Sequence, residues 1–176
     1  MNPFRFKYFL LLFTLVAIAA CNSEDDLPDE PVINSVDYLE DERNLIINFT
    51  DGDGNFGLPP SDTLPPFQAL EDTLNDIPNQ YHNNLWLEVY VLRNGTYELL
   101  ETPTPFDFRI PLLTPQGQNK QLKVTATYDL SLDFEDLLVS GNFFELGDTL
   151  KFSVTIVDRD LNLSNTVVSE GNLLRD

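Results

Sequence analysis

The chain is poor in the residues from which most sites are built. Its 176 residues include one Cys, one His, one Met and one Trp. A single Cys excludes an internal disulfide framework and any multi-cysteine metal site. A single His excludes a histidine-rich metal cluster. Bases are scarce as well: 10 Lys and Arg stand against 29 Asp and Glu, for a net charge of −19. The first 20 residues hold Arg5, Lys7 and no acid, so removing these two bases leaves −21 on the remainder. Such a surface has no basic face for phosphate, which argues against nucleic acid as a partner. Nor has it a polybasic patch for anionic lipid. No internal repeat of 20–50 residues is visible. Aromatic side chains, in contrast, are plentiful, with 13 Phe and 6 Tyr. That is too many for a wholly disordered chain, and the length suits one domain or one domain plus a tail.

The longest apolar run, residues 8–20, has only Thr14 as a polar member. It is too short for a helix that crosses a hydrocarbon layer of about 30 Å. A basic start, a short apolar stretch and small residues at its end describe an export signal over residues 1–20. Those small residues lead directly into the only cysteine, as Ile18-Ala19-Ala20-Cys21. This resembles the bacterial lipobox: small residues admit the peptidase to the backbone, and the Cys21 thiol receives lipid, palmitate among the acyl chains. The plain alternative is an ordinary secretory signal followed by a free thiol. One acyl chain holds a protein only marginally, whereas two or more make a stable anchor. Residues 21–31 are rich in acid and proline and cannot form a core, so they read as a solvated tether. The acidic cluster after Cys21 also resembles the surface-export signal of Bacteroidota lipoproteins.

Beyond the tether, no long stretch has helical period, and several short ones alternate with period two. Strands are predicted over 32–39, 45–50, 85–93, 96–101, 106–112, 121–130, 149–157 and 163–169. The strongest is 85–93, with Leu85, Leu87, Val89 and Val91 on one face and Trp86, Glu88, Tyr90 and Leu92 on the other. Asn94-Gly95 then marks a tight hairpin, because both residues tolerate positive φ. A helical turn is expected at 133–138. With no helix to cross over a parallel sheet, the fold class is all-β: a single immunoglobulin-like antiparallel β-sandwich of seven or eight strands over 32–176. A closed barrel is the alternative. Residues 51–84 form a long loop insertion carrying five prolines. Loops of that length are uncommon in compact domains and are often functional or disordered. Leu64, Phe67, Leu70, Leu74 and Ile77 are its candidates for packing on the sandwich, with one or two helical turns over 67–74.

Cys21 with its acidic tail, the run Phe49-Thr50-Asp51-Gly52-Asp53-Gly54-Asn55-Phe56-Gly57-Leu58, the Asn94-Gly95 turn and the run Val157 to Asn165 together resemble small surface lipoproteins of Bacteroidota with an immunoglobulin- or fibronectin-III-like domain. The resemblance covers about a fifth of the chain. It implies an outer-membrane, surface-exposed location and a sandwich fold, and almost nothing about activity.

Asp51, Asp53 and Asn55 place three oxygen-bearing side chains at alternate positions, with glycines between them that let the backbone curl. Calcium takes six to eight oxygens, and loops of this kind supply them. An EF-hand is rejected, since its sixth and twelfth positions would be Phe56 and Asp62. The plain reading is a turn in which Asp and Gly serve the backbone. Asp158, Asp160 and Asn162 repeat the spacing directly after a strand, with Arg159 expected to neutralise part of the charge. The two loops share one end of the sandwich if 96–101 and 106–112 are one interrupted strand; as two hairpin strands they would send the loops to opposite ends. His82 has no nucleophile in a Gly-x-Ser-x-Gly elbow and reads as a surface residue. Trp86, Tyr90 and Tyr97 are candidates for a sugar-stacking face, against the commoner role of cross-strand packing. Thr63 and Thr73, with the further Asp-Thr-Leu triplet at 148–150, resemble the Bacteroidota O-glycosylation pattern.

These residues favour a non-enzymatic, lipid-anchored module that binds a protein or glycan at its loop end. The alternatives are a calcium-stabilised structural spacer of the envelope and, more remotely, a glycoside-type hydrolase using a carboxylate pair. Metabolic labelling with an alkynyl palmitate checks the anchor: the full chain expressed in a lipoprotein-processing bacterium is expected to take up label, and Cys21→Ser to abolish it.

Overall fold

A computed structural model describes residues 27–102, 105–114, 120–131, 134 and 143–174. The lipid-attachment candidate Cys21, the signal region and most of the helical turn expected at 133–138 lie outside these residues. The fold is the immunoglobulin-like antiparallel β-sandwich. One sheet has the order β1 (Val32–Leu39), β2 (Asn44–Asp51), β8 (Leu122–Asp129). The other runs β10 (Val167–Val168), β9 (Thr149–Ile156), β5 (Leu85–Arg93), β6 (Thr96–Leu99), with β7 (Phe106–Phe108) also on β5 and β11 (Asn172–Leu173) on β9. β3 (Leu70–Asp72) and β4 (Ile77–Pro78) make a small separate hairpin.

The alternation in the sequence decides which faces meet. Leu45, Ile47 and Phe49 of β2 are buried, as are Leu85, Leu87, Val89 and Val91 of β5 and Leu150, Phe152, Val154 and Ile156 of β9. They form one core with Ile33, Val36 and Tyr38 of β1 and Leu122 of β8. Side chains of facing sheets interdigitate in this way when each strand buries every second residue. Tyr38 reaches across the core to Phe152, with ring centroids 4.8 Å apart. Phe152 also stacks with Phe134 at 6.2 Å, and Phe134 meets Phe144 edge-on at 5.1 Å.

β6 and β7 both pair antiparallel with β5, β6 along Tyr90–Arg93 and β7 along Leu85–Leu87. The predicted strands 96–101 and 106–112 are therefore one interrupted return along a single edge of β5. The hairpin before it turns on Asn94 and Gly95 at φ of 51° and 84°, the paired positive values of a type I′ turn.

The last predicted strand, 163–169, is corrected. Within that range only Leu163, in an isolated bridge to Val157, and the two-residue β10 pair with a strand, and β11 follows beyond it. Hydroxyls take the place of a continuous strand: Ser164 Oγ accepts the Ile156 N–H at 3.0 Å and Ser169 Oγ accepts the Phe152 N–H at 3.0 Å. Asn165 closes the same side of the sandwich, accepting from Ile33 N at 2.8 Å and donating to Ile33 O at 3.0 Å, as a neighbouring strand would.

Truncating a fully buried aromatic removes its transfer free energy and leaves a cavity. Phe152→Ala is expected to cost about 3–5 kcal/mol in a urea titration, with the denaturation slope unchanged.

Candidate functional site

Strand direction brings the two Asp-rich loops together. β5 starts beside the end of β9, with Leu85 opposite Ile156. The interrupted β6–β7 strand returns to that end. β8 starts there opposite Asp51 and leaves, and β9 comes back. The loops after β2 and β9 thus leave the sandwich at the same end, and Asn55 Nδ2 donates to Asp160 Oδ2 at 2.9 Å.

The first loop is shaped by its own side chains. Asp51 Oδ1 accepts the Gly54 N–H at 2.6 Å, Asp53 Oδ1 accepts the Asn55 N–H at 3.2 Å, and Asp53 Oδ2 accepts from Asn55 Nδ2 at 2.9 Å. These are the local bonds by which Asp and Asn stabilise turns. Gly54 takes φ of 71°. Gly52 has a different need: a Cβ there would collide with the carbonyl oxygens of Leu27 and Pro28, and its N–H donates to Pro28 O at 2.9 Å. Phe56 then drops into the core against Phe49, centroids 4.7 Å apart.

The second loop is closed by one Asp–Asn pair. Asp158 Oδ1 accepts the Asn162 N–H at 2.8 Å and Oδ2 accepts from Asn162 Nδ2 at 2.9 Å. Leu161 stands at φ of 67°.

Burial sets the electrostatics. Asp51 is 0 % exposed and Asp158 1 % exposed. Desolvation pushes the Asp51 carboxyl up to about 7, and the adjoining carboxyls of Asp53 and Asp158 push the same way against the Gly54 N–H. Burial also raises Asp158, with the Asn162 bonds opposing. Asp51 Oδ2 and Asn55 Oδ1 are buried with no hydrogen-bond partner. The Asn55 amide cannot be turned to mend this, because its nitrogen already serves two carboxylates.

Arg159 does not neutralise this cluster. Its Nη1 lies 2.6 Å from Asp62 Oδ2, and its guanidinium sits 5.7 Å from the Phe67 ring centroid. It clasps the long insertion instead. Asn79 holds the insertion from within, donating to Pro66 O at 2.6 Å and Gln68 O at 2.8 Å and accepting the Tyr81 N–H at 3.1 Å. Arg109 Nη2 reaches Asp62 O at 2.6 Å. His82 Nδ1, 3.2 Å from Phe67 O, donates to that carbonyl. Residues 59–82 are thus a braced arm. Two expectations for it are corrected. The stretch 67–74 holds β3 rather than helical turns. Of its apolar residues Phe67 is buried, whereas Leu64 is 76 % and Leu74 92 % exposed. A groove of about 240 Å³ runs along residues 61–65, Phe67 and Arg159.

Thr63 and Thr73 are both exposed on this arm. The third Asp-Thr-Leu triplet differs, because Leu150 is in the core. Trp86, Tyr90 and Tyr97 share the outer face of the larger sheet. Each is engaged there: Trp86 with Tyr81 at 6.2 Å, Tyr90 with Glu88 at 3.0 Å, and Tyr97 beneath Lys151 Nζ at 4.7 Å.

The sequence reading missed the arm's clasp, Asp62 with Arg159, and its hub, Asn79. A base set directly between two acids says nothing of a partner 97 residues away.

Chemically the loop end offers oxygen donors alone. Among the described residues, no group of three or more His, Cys, Asp or Glu side chains is arranged to hold a metal ion; both oxygens of Asp158 are turned to Asn162. No protein-family model, curated protein or solved structure matches the chain.

The raised Asp51 carboxyl makes stability depend on pH. The folded state holds its proton more tightly than the unfolded state, with its ordinary value of 3.8. The stabilisation is therefore complete below about pH 4 and is lost as pH rises through about 7. In chelator, Asp51→Asn should gain in melting temperature relative to wild type as pH rises from 4 to 8.

Proposed function

We propose that the chain is a lipid-anchored, non-enzymatic binding module of the bacterial outer membrane, held through Cys21 and engaging a protein or glycan with the arm at its loop end. The observation that carries this reading is the arm itself. Arg159 and Arg109 brace it from the sandwich, and Asn79 and His82 tie it together from within. Meanwhile Leu64 and Leu74 are turned outward. Holding an ordered insertion costs conformational entropy, and exposed apolar groups on a fixed loop add nothing to the core. A braced loop with outward apolar residues is instead suited to a partner's surface. The signal-like N-terminus and Cys21 supply the location, and the acidic surface favours cationic partners. O-glycans on Thr63 and Thr73, if added, would sit beside the same residues.

A second reading, the calcium-stabilised spacer, is favoured by the unsatisfied oxygens of Asp51 and Asn55. The two separate on the arm. Cross-linking pull-down with the full chain, followed by the same experiment with Leu64→Asp/Leu74→Asp, is expected to recover a defined partner and then lose it. The double variant should melt within about 1 °C of wild type, as surface changes usually do. A spacer recovers no specific partner with either protein.

A further inference from the structure

We propose that Asp51, Asp53 and Asn55 bind a hard divalent cation of the calcium class, in the negative field of Asp158 and Asp160. The site does not depend on the arm being a binding surface, since its residues are in the loops that root the arm.

Two observations meet here. The first is the spacing: three oxygen-bearing side chains alternate along Asp51-Gly52-Asp53-Gly54-Asn55. The second is independent of it. Asp51 is fully buried, one of its oxygens has no donor, and the carboxyl adjoining it is that of Asp53. The other orphaned oxygen of the loop belongs to Asn55, the far end of the same pentapeptide. A buried carboxylate without a donor is costly, and a second carboxylate beside it makes it more so. A cation relieves both terms by giving the free oxygens a ligand and the charges a counterion.

The donors select the ion. All are oxygen, which excludes the sulfur and nitrogen preferences of zinc and copper. Two carboxylates and an amide on a curled loop leave several coordination positions to backbone carbonyls and water. Calcium accepts such an irregular, high-coordination shell, whereas magnesium demands a near-ideal octahedron. Asp158 and Asp160 lie on the neighbouring loop and contribute charge, Asp158 being bonded at both oxygens by Asn162; the bonds on Asp53 come from Asn55 within the site itself, and ligation exchanges them for the ion. Since Asn55 also bonds Asp160, an ion on the first loop stiffens the contact between the two loops.

The test uses the full chain in detergent, melted in 1 mM CaCl2, in 1 mM MgCl2 and in EGTA, with isothermal titration of CaCl2 into chelator-treated protein. Calcium at about a hundred times its dissociation constant should raise the melting temperature by about 5–10 °C. Magnesium should raise it less, and titration should fit one ion per chain. Asp53→Asn and Asn55→Ala should lose the shift. Asp51→Asn should also lose it while melting at or above wild type in EGTA, an outcome that general damage to the fold does not produce. If Asp51→Asn does not fold, the half-exposed Asp53→Asn carries the test alone. The proposal is overturned by a wild-type chain with neither shift nor binding heat, including one stabilised by acidification only. A calcium shift that persists in Asp53→Asn and Asn55→Ala overturns it equally.

Discussion

The pairing of β5 with β9 is the constraint from which the rest follows. Leu85 to Val91 lie opposite Ile156 to Leu150 without a break in register, and the inward residues of both strands are the driest part of the core. A one-residue slip would turn Leu85, Leu87, Val89 and Val91 outward, so burial holds the register firmly. That register also sets where each strand ends. It places Asn84 beside Val157, whose N–H donates to Asn84 O at 3.1 Å, and so fixes where the arm ends and where the second Asp-rich loop begins.

Around this spine the chain solves a problem of charge supply. With 29 acids and 10 bases, it cannot give every carboxylate a cation. Amide side chains do much of that work. Asn55, Asn75 and Asn162 each donate to an aspartate, and Asn44 to Glu42. Asn84 and Asn165 stand in for missing strand neighbours at Ile110 and Ile33. A neutral amide offers two donors without adding to the desolvation cost of a charge. The guanidinium groups of Arg93 and Arg159 are kept for joining distant segments, to Asp148 and Asp62. The loop containing Asp51 is where this supply runs out.

The sandwich was legible because period-two alternation is a local signal. β1, β5, β8 and β9 fall on their predicted ranges to within a residue, and Asn94-Gly95 turns as its two residues require. The end of the chain was not legible, since Ser164 and Ser169 act as backbone substitutes through contacts that alternation does not encode. The arm failed for a related reason. Leu64 and Leu74 look like core residues in sequence, but Pro-rich flanks and the Asp72 turn hold them away from it. The meeting of the Asp-rich loops followed from strand parity once β6 and β7 were seen to share an edge. The orphaned oxygens of Asp51 and Asn55 had no sequence signature at all.

The contact of Gly52 with Leu27 and Pro28 has a bearing on orientation. It stitches the entering chain to the Asp-rich end of the sandwich, and Val32 then starts β1 opposite Thr50 at that same end. A lipid on Cys21 would therefore be joined to the loop end by a leash of six residues, which spans at most roughly 20 Å when fully extended. The Asp-rich loops and the arm would hang near the bilayer surface, and the Asn94-Gly95 hairpin would point away from it. Held in that way, the loop end would be within reach of proteins or glycans rooted in the same leaflet, and freely diffusing ones would have to come in beneath the sandwich.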